Sequence, residues 1–348
     1  MPVEPHQLDD ALTLFADTAP EFGRLGLSNH GPMVAEALDH LGHPEAIAAW
    51  AARYRTRLDA APSPAVRPLS EEAWPGALGE GDRFPEWLAL FEREMADRPA
   101  AAVVGEWVPR LVPGSVGAAG HGLIRTAHGL RGLSRADTAP RRLEVAIALA
   151  FWASRYQELP GPPLLIGRQN VPTALAELPY LPEETPQEHL ITTRVAHVAD
   201  IADEFEQAVA SLGFGGDAIG LIDELAVGGA RAYLRNTAQN PIALVHSVTL
   251  PLALELLLPW LSAEDHSAAL GYAWQAAAAL HVAYAIDRHA PEIEADDLPS
   301  PDELVAGALV SGDEHALKLV EAALRSYART REPVLLWAAR DASVRLGG

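Results

Sequence analysis

Apolar residues recur along most of this chain at three- and four-residue spacing, the period of one face of an α-helix. Leu8, Leu12 and Phe15 form such a face in the segment Leu8 to Ala16. Ser28-Asn29 reads as an N-cap, with Pro32 in the first turn and Val34, Ala37, Leu38 and Leu41 following at helical intervals. The same period, often opened by a proline, predicts helices over Ala46 to Leu58, Trp87 to Met95, Ala118 to Leu133, Arg142 to Tyr156, Thr193 to Leu212 and Ile219 to Thr237. Further helices are predicted over Pro241 to Trp260, Ala263 to His289, Pro301 to Val310, Asp313 to Thr330 and Pro333 to Arg345. Period-2 alternation is scarce, with Leu164 to Ile166 and Leu190 to Thr193 the only short strand candidates. The expected class is mainly α.

Two proline-rich segments interrupt the pattern, Pro62 to Gly81 and Leu159 to Pro186. A connection as long as the second forms a lid, a binding loop or a linker when it occurs in a compact domain. With no internal repeat or charge run to divide the chain, the expectation is one large helical domain over residues 1–348. A sub-boundary would fall in the 159–186 loop.

Composition narrows the function. The 348 residues carry 47 acids against 26 bases, a formal charge of −21, which disfavours nucleic acid and anionic membranes as partners. Cysteine is absent, which excludes disulfides, thiolate metal sites and a cysteine nucleophile. Met1 to Asp10 lacks the apolar core of a signal peptide, and the most apolar stretch, Leu250 to Leu261, is broken by Pro251, Glu255 and Pro259. A cytoplasmic protein is therefore expected. No H-E-x-x-H, His-Asp pair, D-D-x-x-D or paired E-x-x-H occurs, and no nicotinamide or flavin fold is visible. Gly213 to Gly216 lies between two helices without a preceding strand and reads as a turn.

Histidine remains. Of thirteen, His6, His40, His189, His197, His266 and His289 fall at helix ends or in polar stretches. His30, His121, His128, His246 and His281 instead sit in apolar or small-residue surroundings, and several buried imidazoles in one chain point to a shared metal. Ligation by imidazole without thiolate suits iron, zinc, copper or nickel. The basic residues add a second anomaly: 25 are arginine and one is lysine, Lys318. It lies three residues after His315, on the same helical face. A partly buried lysine can lose its proton, and carboxylation by carbon dioxide would turn it into an anionic oxygen ligand.

The runs Asn29-His30-Gly31-Pro32-Met33, His121 to His128, His246-Ser247-Val248-Thr249 and His315 to Ala322 together resemble the questin oxidase-like family. The resemblance covers the chain from about Ser28 to Ala322. It implies a mainly helical fold and a mononuclear non-heme iron held by histidines and a carboxylated lysine. It also implies an oxygenase that opens a ring of an aromatic polyketide or quinone with dioxygen. Carried over, His30, His121, His246 and Lys318 become the expected ligands. Fungal relatives tend to carry histidine where this chain has Arg125, and the candidate for the fourth histidine is His128, with His281 and His315 as substitutes. Arg125 and His315 are the candidates for catalytic roles, Arg125 facing a substrate phenolate or carboxylate. Trp152, Tyr156, Trp260, Trp274 and Tyr284 are candidate walls for an apolar pocket. Two other readings fit the same residues: a zinc-dependent hydrolase with carboxylated lysine, and a non-catalytic helical binder of a hydrophobic metabolite.

Overall fold

The computed structural model describes residues 7–347 apart from 66, 68, 71, 239 and 288–297. His6 and His289 lie outside the described residues, and the helix expected to reach His289 ends earlier, at Tyr284, where Ala285 leaves helical geometry (φ −88°, ψ 84°). The fold is mainly α, with a single two-stranded hairpin among the described residues. The chain divides into two compact units, one comprising residues 1–157 with 259–261, the other 158–258 with 262–348. The first change of unit falls immediately before the proline-rich segment.

The first unit contains α1 (Gln7–Ala16), the hairpin β1 (Glu21–Phe22) and β2 (Leu27–Ser28), α2 (Gly31–His40) and α3 (Pro44–Arg55). It continues through α4 (Phe84–Asp97), α5 (Ala100–Leu111), α6 (His121–Arg135) and α7 (Ala139–Ser154). Helix α7 is buried along nearly all its length and receives α1, α4, α5 and α6. Helix α2 packs on α1, α3 and α6. The 118–133 prediction starts three residues early, because Ala118, Ala119 and Gly120 all have positive φ, at 49°, 58° and 86°. Helix α5 was hidden from pattern reading by Pro99, Pro109 and Pro113, which surround and interrupt its apolar face.

The second unit contains α8 (Val171–Ala176), α9 (Ile191–Ala196), α10 (Ala202–Val209), α11 (Ala218–Arg235) and α12 (Pro241–Leu257). It closes with α13 (Ala263–Tyr284), α14 (Pro301–Ser311), α15 (Glu314–Thr330) and α16 (Pro333–Arg345). Asn170, Asp217, Asn240, Ser300 and Asp313 cap their helices with side-chain oxygens. Helix α12 is central and packs on α11, α13 and α15. Pro241–Trp260 is long and apolar enough to cross a membrane by length and composition, yet 78% of its most apolar window is buried inside the protein. The 193–212 helix is in fact two, separated by a 3-10 turn over His197–Ile201 and a break at Ile201 (φ −128°, ψ 39°). The two strand expectations fail: Ile166 makes only an isolated bridge to Gly213, and Ile191–Ala196 is helical.

Candidate metal-ligating clusters

In the first unit the structure brings His30 and His121 together, with ring centroids 4.5 Å apart and an interplanar angle of 54°. His30 occupies the N-cap of α2, and its backbone N–H donates to the Tyr54 hydroxyl at 3.0 Å. The preceding Asn29 accepts from the Gly31 N–H at 2.9 Å and donates to Thr18 Oγ1 at 2.9 Å, which fixes the approach to the helix. Gly31 is required by close packing, because a Cβ there would lie 2.6 Å from the Phe15 ring. His121 opens α6. Its Nδ1 donates to the Ala118 carbonyl at 2.5 Å, a contact made by the positive-φ run before the helix. That bond places the proton on Nδ1 and leaves the Nε2 lone pair as the ligand atom. Gly122 lets α6 press onto α7, where a Cβ would meet Trp152 at 2.6 Å.

In the second unit His246, His315 and Lys318 converge. His246 lies in α12 and donates from Nδ1 to the Ile242 carbonyl at 2.8 Å, so its Nε2 also carries the lone pair. Burial, and then the charges of His315 and Lys318, push His246 well below the usual imidazole range and keep it neutral. The His315 ring packs edge-on against His246, with centroids 5.5 Å apart. Asp313 caps α15 by accepting from the His315 and Ala316 N–H groups at 2.8 and 3.0 Å, which orients this first turn. Lys318, one turn further on, is 1% exposed, and its Nζ makes no hydrogen bond among the described residues. Burial pushes this amine down to about 7, against the opposite pull of Glu314 and Asp313. Buried imidazoles are metal-ligand material, and each unit gathers a pair of them, His30 with His121 and His246 with His315.

The other expected site residues lie elsewhere. His128 follows His121 along an unbroken α6, separated by roughly 10 Å of rise. Its Nδ1 pairs with Glu36 at 2.7 Å, and Arg131 donates to the same carboxylate at 2.7 Å from Nε. Burial alone would raise Glu36, but the charge of Arg131 and the hydrogen bonds from His128 and Arg131 hold it at about 2. Arg125 is buried and forks onto Glu144, with Nε and Nη2 contacts of 2.7 and 2.9 Å. His281 donates from Nδ1 to the Ala277 carbonyl at 2.9 Å and lines a separate cavity. Of the expected pocket aromatics, Trp152 and Trp274 are fully buried and donate to the carbonyls of Gly114 and Val209, which makes them core. No family model matches the sequence, and no curated protein is significantly similar to it.

Sequence reasoning missed Glu36, Glu144 and Ala118. The first two read as ordinary helix-surface acids, and the third supplies only a backbone carbonyl.

Proposed function

We propose that the chain is a mononuclear non-heme iron oxygenase that opens a ring of an aromatic polyketide or quinone, with dioxygen as co-substrate. In this reading the ligands are those that the resemblance assigns, imidazoles from His30, His121 and His246 and an anionic oxygen from Lys318. The observation that carries it is Lys318, the single lysine of the chain, buried without a hydrogen bond beside His315 and His246. A buried ammonium without a partner is costly, and surface lysines exchange readily for arginine. Retention of an amine at this one position is therefore best explained by chemistry that only an amine performs. The resemblance of the four sequence runs to the questin oxidase-like family supports the same assignment.

The donor chemistry fits a divalent metal. A neutral Lys318 amine attacks carbon dioxide, forming an N–C bond and releasing one proton, and the product carbamate presents an anionic oxygen. The carbonyls of Ala118 and Ile242 hold the His121 and His246 rings in the tautomer that turns Nε2 toward a ligand. Bound ferrous iron would supply the activation of dioxygen. Burial of His30, His121, His246 and Lys318, each at most 5% exposed, keeps bulk water from the ligand atoms.

Metal analysis of the protein purified without added metal tests the proposal. The expected result is one equivalent of iron per chain, lost in Lys318→Ala. One equivalent of zinc would favour a hydrolase, and no metal a binder. Growth in ¹³C-enriched bicarbonate should give a carbamate carbon resonance that is absent from the variant.

A further inference from the structure

The second unit holds a half-open cavity of about 560 Å³, walled by α8, α11, the end of α13 and the turn between α15 and α16. That volume lies in the range of small-molecule sites. Leu175, Val227, Ala232 and Ala285 give it an apolar interior. Three arginines reach it, and they are not equivalent. Arg329 is engaged through all three nitrogens, with contacts of 2.7 and 2.9 Å to Asp223 and of 2.7 and 3.0 Å to Glu255. Among the described residues Arg231 makes one hydrogen bond, to Glu332 at 3.4 Å. Arg235 makes one, to Asp287 at 3.3 Å, and its buried Nε has no hydrogen-bond partner among the described residues. Each guanidinium carries five N–H donors. These two stand four residues apart on α11 and so share a face. The cavity thus presents two under-used cations one helical turn apart against an apolar interior.

We propose that this cavity binds an organic monocarboxylate with an apolar body. The carboxylate takes N–H donors from Arg231 and Arg235, displacing the long contacts to Glu332 and Asp287. The hydrocarbon body lies on Leu175, Val227, Ala232 and Ala285. A charge-assisted pair of short bonds is stronger than the single long contacts it replaces. The same rim sets an upper limit on ligand charge. Glu224, Asp287 and Glu332 also line the cavity, so a second negative charge on the ligand would be repelled. Selectivity for one carboxylate over two follows. The inference does not depend on the oxygenase reading, because it requires neither metal nor turnover.

Calorimetric titration of the full chain under argon provides the test, with 2-naphthoate, decanoate, 2-naphthalenemethanol and 2,6-naphthalenedicarboxylate as probes. Saturable 1:1 binding of naphthoate or decanoate is expected, and the tighter of the two identifies an aromatic or aliphatic body. The alcohol and the dicarboxylate should each bind at least about tenfold more weakly, the loss of one charge-assisted hydrogen bond. Arg235→Ala should weaken the preferred acid by a similar factor. Glu332→Gln, which frees Arg231 without touching the apolar wall, should tighten it. Absence of saturable binding at millimolar concentration, equal binding of acid and alcohol, or no response to either variant would overturn the proposal.

Discussion

The Nδ1 of His121 stands 2.5 Å from the carbonyl oxygen of Ala118, a contact that exists because the chain turns left-handed just before α6. An α-helix begun at Ala118 would point that carbonyl along its axis toward the backbone of Gly122. With Ala118 at φ 49° and Ala119 at φ 58°, the carbonyl meets the imidazole instead and sets its tautomer.

That turn has a cost that can be measured. An alanine in the left-handed region is about 1–2 kcal/mol less favourable than in the right-handed one. Ala118→Gly removes the penalty and keeps the carbonyl, with part of the gain returned as the greater freedom of unfolded glycine. The expected result is a net stabilisation of about 0.5–1 kcal/mol in urea denaturation of the metal-free protein. Ala118→Val, with a β-branch in the same conformation, should lose more than that. A loss in the glycine variant would mean that the run is not strained.

Lys318→Met keeps the length and apolar stem of the side chain and removes the amine. Since Nζ is buried without a hydrogen bond, the metal-free variant should be more stable than the parent by about 1 kcal/mol or more. Its metal content should nevertheless fall to background. Stability gained together with metal lost separates a ligand precursor from a structural lysine, for which both would fall. Thermal melting and metal analysis on the same samples read the two quantities.

The Glu36 carboxylate is the natural sensor of acid in the first unit. Its ordinary value of 4.5 drops to about 2 in the folded chain, because Arg131 and His128 outweigh the opposing effect of burial. A depressed carboxylate contributes stability that is complete above its unfolded value and disappears as pH falls through its folded one. Unfolding free energy should therefore decline between about pH 4.5 and 2 with a slope that Glu36→Gln flattens. At neutral pH the variant should be about 3–5 kcal/mol less stable, since it leaves a buried guanidinium unpaired. Urea midpoints from pH 6 to 2.5 for both proteins test this, and identical slopes would remove Glu36 as the sensor.

The sequence made the helices and the candidate ligand residues legible, but not what orients those residues. Helical period and proline openings located α2, α12 and α15, because their buried faces repeat along the chain. Lys318 and the histidines of apolar runs stood out for the related reason that polar residues in such runs need a purpose. What stayed hidden was non-local or purely backbone. Glu36 meets His128 across 92 residues, and no periodicity encodes which buried acid finds which base. The positive φ of Ala118 and Ala119 leaves no compositional trace, since glycine marks such turns and only the third residue is glycine. Helix α5 was lost because its prolines read as breakers, though Pro99 precedes its first residue and Pro113 follows its last.

Arg125 decides between two roles open to a cation one turn after His121. Its fork onto Glu144 is buried on both sides, with side-chain exposures of 2% and 4%. A pair desolvated to that degree is expensive to break and inexpensive to replace as a whole. Arg125→Met alone strands the Glu144 carboxylate and should cost about 3–5 kcal/mol. The double variant Arg125→Met/Glu144→Leu, which fills the same space with apolar groups, should recover most of that loss. A substrate-facing arginine would behave differently: the single variant would keep its stability and raise KM, and Glu144→Leu would not rescue it. Urea denaturation of the two single variants and the double forms a complete cycle. A coupling energy of about 2 kcal/mol or more would assign Arg125 to holding α6 against α7 rather than to the substrate.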